Sequence, residues 1–123
     1  MSLSAPQALA LWRAALVGSL RGGGPDLTSR QAALLLTVYL AEPPHTVRGL
    51  AAGLAISKAA VSRGLDRLSR LGFVRRRVDE TDRRSVLVHR TPAGEAFLAR
   101  FASLVVTAER DATAVLPAPP PAG

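Results

Sequence analysis

The stretch from Thr46 to Gly72, TVRGLAAGLAISKAAVSRGLDRLSRLG, reads as two short helices joined by a tight connection. Thr46 is a residue type that caps a helix start. Val47, Leu50, Ala51 and Leu54 then follow at i, i+3, i+4 and i+7, which completes one apolar face. Only Ala55 and Ile56 precede Ser57, a second N-cap, so the two helices must cross sharply. Ile56 before that cap and Val61 at the fourth helical position form a hydrophobic staple, which sets the angle at which the chain enters the second helix. Along it Val61, Leu65, Leu68 and Leu71 point inward and leave Lys58, Ala59, Ser62, Arg63, Asp66, Arg67 and Arg70 outside. Gly72 closes the helix as its C-cap. The layout is that of a helix-turn-helix, whose second helix enters a DNA major groove by its N-terminal end. Ala59 and Ala60 would there permit close approach, while Lys58, Ser62 and Arg63 would reach base edges or phosphates.

A solvated face on which Arg63, Asp66, Arg67 and Arg70 pair along the helix would account for the same residues. The segment after Gly72 favours the groove. The apolar period changes there from helical to alternating, and Phe73 to Val78 and Ser85 to Arg90 read as strands joined by a turn from Asp79 to Arg84. Ten of the sixteen Lys and Arg residues lie between Lys58 and Arg90 against four acids, giving +6; the rest of the chain has six bases and five acids, giving +1. A basic ribbon directly after a recognition helix makes a winged helix. Arg83 and Arg84 at its tip would sit at the neighbouring minor groove, whose negative potential attracts arginine. Asp79 or Asp82 beside them would pair with an arginine and hold the turn, or mark these charges as only a solvated loop. His89, alternating with Val88, is expected to face solvent or backbone phosphate.

Working outward, Leu9, Trp12, Leu16 and Leu20 recur at helical spacing until Gly22, Gly23, Gly24 and Pro25 end a first helix of about residues 5–20. Thr28 with Gln31 forms a capping box for a second helix, in which Ala32, Leu35, Val38 and Tyr39 hold one face until Pro43 and Pro44. Thr91 with Pro92 starts a last helix of about residues 92–116 carrying Phe97, Leu98, Phe101, Leu104, Val105 and Ala108. Ala102, Val106 and Val115 lie off that face. A helix so apolar in so small a domain needs a second surface to cover it, which predicts a homodimer built on the first and last helices. Pro117 to Gly123 has four prolines in seven residues and reads as a flexible or extended tail. The fold class expected is therefore mainly α with a small β-hairpin wing. One domain, residues 1–116, carries a DNA-binding lobe of about 28–91 between two dimerisation helices.

The composition agrees with this and excludes other classes. A chain of 123 residues is the length of one domain, and its 48% apolar but only 4% aromatic content builds a core of Leu, Val and Ala. The lack of cysteine removes disulfides, thiolate metal sites and thiol redox sensing, and suits a cytoplasmic location. The apolar start is broken by Arg13 and falls short of the about 20 residues that span a bilayer, so neither membrane anchor nor signal peptide is expected. No enzyme is expected: His45 and His89 have no acid at metal-ligand spacing, and no phosphate-binding loop or zinc-protease motif is present. The triple glycine follows a helix and is punctuation. Ser57 and Ser62 have no general base in the motif.

These residues resemble the MarR family of transcriptional regulators. The likeness is carried by LTSRQAALL from Leu27, by LAAGLAISKAAVSRGLDRLSRLGFVRRR from Leu50 and above all by DETDRRSVLVHRTPAG from Asp79. It implies that Ser57 to Arg70 is the major-groove helix, with Ser57, Lys58, Ala59, Ser62, Arg63 and Arg67 at the DNA. Arg84 would be the wing arginine, with Arg83, which stands where many members have glycine, adding a contact. Asp82 would orient the wing without touching DNA, since phosphates repel a carboxylate. The resemblance further implies a dimer on a pseudo-palindrome of double-stranded DNA, most simply as a repressor, and release by a small aromatic ligand at Trp12, Arg13, Tyr39 and His45. No cofactor or metal is implied. Arg90 departs from the pattern by replacing an apolar residue, which implies a more exposed strand end. The rival reading is a winged helix that binds another protein, or coats nucleic acid without reading it.

Overall fold

The structure, a computed structural model, describes residues 2–115. Its elements run α1 (Ala5–Arg21), α2 (Ser29–Leu40), α3 (Val47–Leu54), α4 (Lys58–Arg70), β1 (Val74–Val78), β2 (Val86–Arg90) and α5 (Pro92–Val115). This is the predominantly helical fold with a small hairpin that the sequence predicts. Leu116 and the proline-rich segment 117–123 lie outside the described residues. No helix among them is long and apolar enough to cross a membrane.

Each helix begins where a side chain satisfies its free N–H groups. Thr28 and Gln31 form the expected capping box at 3.1 Å in both directions. α1 has a second such box that the sequence reading passed over, with Ser4 Oγ accepting from Gln7 N–H and Gln7 Oε1 from Ser4 N–H. Thr46 caps α3 and Ser57 caps α4 as expected. At α5, Thr91 Oγ1 accepts from Gly94 N–H at 3.0 Å and donates to Gly72 O at 2.6 Å, so one hydroxyl starts the helix and ties it to the end of α4.

The ends of α3 and α4 use left-handed residues. Gly72, with φ of 78°, follows Leu71, which is the terminal cap in place of the glycine expected there. Phe73 N–H reaches back to Leu68 O and Gly72 N–H to Ser69 O, the paired bonds of a Schellman ending. The end of α3 is similar: Ile56 N–H donates to Ala51 O and Ala55 N–H to Ala52 O. Here, however, the left-handed residue is Ala55, with φ of 54°. Left-handed backbone costs an L-residue about 1–2 kcal/mol, and glycine relieves this at an entropic cost of about 0.5–1 kcal/mol. Ala55→Gly is therefore expected to stabilise the fold by about 0.5–1 kcal/mol, seen as a higher urea midpoint. An unchanged or lowered midpoint would contradict it.

The chain divides into two compact units. One is Leu27–Phe97; the other comprises the segments before and after it. In the first, Leu34, Leu35 and Val38 of α2 and Val61, Leu65 and Leu68 of α4 are fully buried, joined by Leu50, Ala51, Phe73, Val74 and Val88. Burial of each large side chain contributes about 1.5–3 kcal/mol, which makes this cluster the core of the lobe. Phe73 and Phe97 stack at 4.5 Å between ring centroids. The hairpin is antiparallel, with Val74 opposite Arg90, Arg76 opposite Val88 and Val78 opposite Val86. Thr46 bridges to Leu87 and His45 O accepts from Val88 N–H, so the start of α3 is fastened to β2 of the two-stranded hairpin.

In the second unit α1 turns its small face inward. Gln7 and Ala15 are buried there and Gly18 lies close to Leu104 of α5, while Ala108 and Ala112 are the buried residues of α5. The apolar stripe that defines α1 in the sequence faces out: Leu9, Trp12, Leu16 and Leu20 are 50–65% exposed. Ala102 and Val106 of α5 are exposed too.

Candidate nucleic-acid interface

Helix α4 divides cleanly between core and solvent. Ala60, Val61, Gly64, Leu65 and Leu68 are buried. Gly64 is needed where α4 meets α2, because a β-carbon there would press on Leu34 Cδ1. Ala60, expected at the groove-facing surface, is only 5% exposed and belongs to the core. The outer side carries Ser57, Lys58, Ala59, Arg63 and Arg70 exposed, with Ser62, Asp66 and Arg67 half-buried. Ala59 alone thus gives the first turn a flat point of approach. The Ser57 oxygen is engaged by Ala60 N–H, which leaves its own proton available to a phosphate.

The cations of the basic window are of two kinds. Three are committed within the protein. Arg67 donates to Gln31 Oε1 at 3.1 Å, the same oxygen that accepts from Thr28 N–H, and so links α4 to the start of α2. Arg76 pairs with Asp66 across 2.8 Å, joining β1 to α4. Arg90 reaches Val38 O at 2.9 Å and Ala41 O at 3.1 Å, with its guanidinium over the Tyr39 ring. The strand end is exposed at His89 and Arg90, as expected, yet the Arg90 guanidinium is pinned to carbonyls at the end of α2, where a cation is favoured. Lys58, Arg63, Arg70, Arg75, Arg77, Arg83 and Arg84 remain exposed.

The acids beside them are largely occupied. Asp66 is held by Arg76 rather than by a neighbour on its own helix, so the ladder of pairs along α4 is not the arrangement found. In the hairpin turn Asp79 Oδ1 accepts from the Thr81 hydroxyl at 2.7 Å and from Thr81 N–H at 3.0 Å. The hydroxyl bond, then the backbone bonds from Thr81 and Asp82, hold the Asp79 carboxyl below its ordinary range. Asp82 Oδ1 accepts from Arg84 N–H at 3.2 Å, a bond to the main chain that shapes the turn carrying Arg83 and Arg84. The arrangement leaves positive side chains facing outward on α4 and on the hairpin.

The residues considered for a small ligand fall in different units. Tyr39 and His45 belong to the first, and both are engaged. The Tyr39 hydroxyl accepts from Thr91 N–H at 2.9 Å and lies within bonding distance of Phe73 O and Thr91 O. His45 is 8% exposed, and its Nε2 donates to Ala41 O at 3.1 Å. Trp12 and Arg13 lie in the second unit and are exposed. Links such as Asp66 to Arg76 and Arg67 to Gln31 escaped the sequence reading because they cross between elements, where periodicity carries no signal.

The MarR family model matches residues 26–85. No curated protein matches at a significant level. Among solved structures, the transcriptional repressor CouR bound to a 23-mer DNA duplex is 30% identical, with a TM-score of 0.71 over 89% of this chain and 75% of that one. Wild-type E. coli MarR in its apo form is 27% identical, with a TM-score of 0.69 over 91% of this chain and 81% of that one. An S. aureus MepR variant bound to an oligodeoxyribonucleotide shares the fold at 23% identity and a TM-score of 0.72, over 91% of this chain and 78% of that one. A capped helix-turn-helix, a basic hairpin fastened to it and these likenesses agree: the chain belongs to the MarR family of DNA-binding transcriptional regulators.

Proposed function

We propose that this chain is a dimeric, sequence-specific repressor that places α4 in the major groove and the hairpin tip at the adjacent minor groove. The observation that carries the proposal is the separation of the cations: those on the outer side of α4 and at the turn are exposed, while Asp66, Asp79 and Asp82 beside them are each bonded within the protein. Lys58, Arg63 and Arg70, with Ser57, Ala59 and Ser62, form the major-groove surface. Arg83 and Arg84 form the wing contact, oriented by Asp82. Arg67 acts through its bond to Gln31 and contributes charge. The repressor assignment follows CouR, which is named a transcriptional repressor and was solved on DNA. The dimer is supported by the uncovered stripe of α1 and by Val106 of α5. Tyr39 and His45 are occupied by main-chain partners, so the proposal requires no effector at them.

Selection of duplexes from a random pool tests this directly. A two-fold symmetric consensus is expected, and failure to enrich any sequence would refute it. On the selected duplex Arg63→Ala is expected to relax base preference and weaken binding by about 1–3 kcal/mol, with Arg84→Ala changing the dependence on A·T content beside each half-site. Wild-type affinity in both variants would remove the assigned surface.

A further inference from the structure

The hairpin has a second cationic face that the docking of α4 and the wing tip does not use. Paired residues of an antiparallel ladder share a side of the sheet, and successive residues alternate between sides. Val74 and Val88, each 3% exposed, place Val74, Arg76, Val78, Val86, Val88 and Arg90 on the inner side, where Arg76 meets Asp66. The outer side therefore carries Arg75 opposite His89 and Arg77 opposite Leu87, and both arginines and His89 are exposed. The next residue in the alternation is Asp79, whose Oδ1 is bonded twice by Thr81 at the turn. Like charges one pair apart on a sheet repel unless an anion lies between or over them, so two arginines on an exposed face, with the one carboxylate of that side bonded at the turn, form a surface suited to a polyanion.

We propose that Arg75 and Arg77, with His89 as a hydrogen-bond donor, form a sequence-neutral phosphate clamp for DNA flanking the site read by α4. The inference rests on the DNA-binding reading above and adds a contact to it. Side chains two residues apart on a strand are spaced by about 6.8 Å. That is close to the separation of consecutive phosphates on one DNA strand, so Arg75 and Arg77 match successive backbone groups in charge and in period. An arginine fork binds phosphate through two parallel hydrogen bonds, and neither residue is bonded to a base edge in this role. The clamp therefore contributes affinity and salt dependence without contributing base preference.

The test compares the full wild-type chain with an R75Q/R77Q double variant, on the selected duplex with long flanks and on the same duplex trimmed to the consensus. Each released phosphate contact flattens the dependence of log K on log salt by about 0.9, so loss of two contacts per protomer, four in the dimer, lowers the slope by about 3.6. The variant is expected to show that change on the long duplex, to keep the wild-type ratio of specific to scrambled affinity, and to be indifferent to trimming, which weakens the wild type. An unchanged slope, or equal losses on trimming, overturns the clamp and leaves this face to an acidic protein partner. If the random pool yields no consensus, the sequence-reading proposal fails by itself, and the slope comparison on any long duplex still decides for or against the clamp. Unaltered far-ultraviolet circular dichroism and melting temperature verify that the exposed substitutions leave the fold intact.

Discussion

Gly94→Ala is expected to destabilise the lobe by about 3 kcal/mol or more, the largest effect of any single added methyl group. A β-carbon at Gly94 would fall inside the contact distance of the Tyr39 hydroxyl and the Phe73 carbonyl, and 2.7 Å from Tyr39 Cζ. Neither neighbour can yield easily. Phe73 O is main chain, and the Tyr39 hydroxyl is fixed by Thr91 N–H as well as by Phe73 O and Thr91 O. Moving Gly94 itself would break its bond to Thr91 Oγ1, through which α5 is tied to Gly72. Overpacking costs about 1–3 kcal/mol and a broken bond among buried groups about 1–3 kcal/mol more. Against a typical domain stability of about 5–15 kcal/mol, the sum is a large part of the whole. Urea denaturation reads it as a lower midpoint, and a loss below 1 kcal/mol would mean that the junction of α2, β1 and α5 is softer than its bonds indicate.

A second large effect is expected from Leu16→Glu. Leu16 stands with Leu9, Trp12 and Leu20 on the exposed stripe of α1, so the change removes no residue from the core of the isolated chain. In a dimer closed by that stripe, it places a carboxylate in an apolar contact, where an unpaired charge is strongly disfavoured. Light scattering should then report a monomer with an unchanged far-ultraviolet spectrum. DNA affinity should fall further than any single contact explains, because two reading heads joined on one palindrome gain about 10²–10⁴ in avidity over one. A wild-type chain that is itself monomeric on DNA, or a variant that dimerises as before, would remove α1 from the interface.

The elements were legible in the sequence because each carries a local signature. Thr28 with Gln31, Thr46, Ser57 and the pair Thr91 and Pro92 announce helix starts, and each is found capping or opening its helix. The change from period 3.6 to alternation after Gly72 marked the hairpin to within one residue at each strand start. The direction of burial was less legible. The stripe of α1 is a strong helical signal, but periodicity reports only that one face is apolar and does not say whether the chain's own core covers it. Ala60 illustrates the same limit on a smaller scale, since alanine fits a groove-facing surface and a tight interior equally well. Ala55 shows another: the left-handed turn of α3 is a place for glycine, and its backbone angle cannot be inferred from an alanine. The cations of the candidate site were counted correctly, yet Arg67, Arg76 and Arg90 turn to partners on other elements, which only the folded chain reveals.

The fastening of Arg90 has a mechanical corollary. Its guanidinium grips the carbonyls of Val38 and Ala41, in and just past the end of α2, at the base of the hairpin, where Val88 N–H is bonded to His45 O and Val74 is buried, whereas the far end is held by bonds within the turn. The ribbon is thus a cantilever, clamped at its foot and self-supporting at its end. Contact with a duplex can adjust the last few residues without disturbing the helices beneath. The bonds within the turn restrict its backbone before any DNA arrives, so the ordering left to binding is mainly that of the Arg83 and Arg84 side chains.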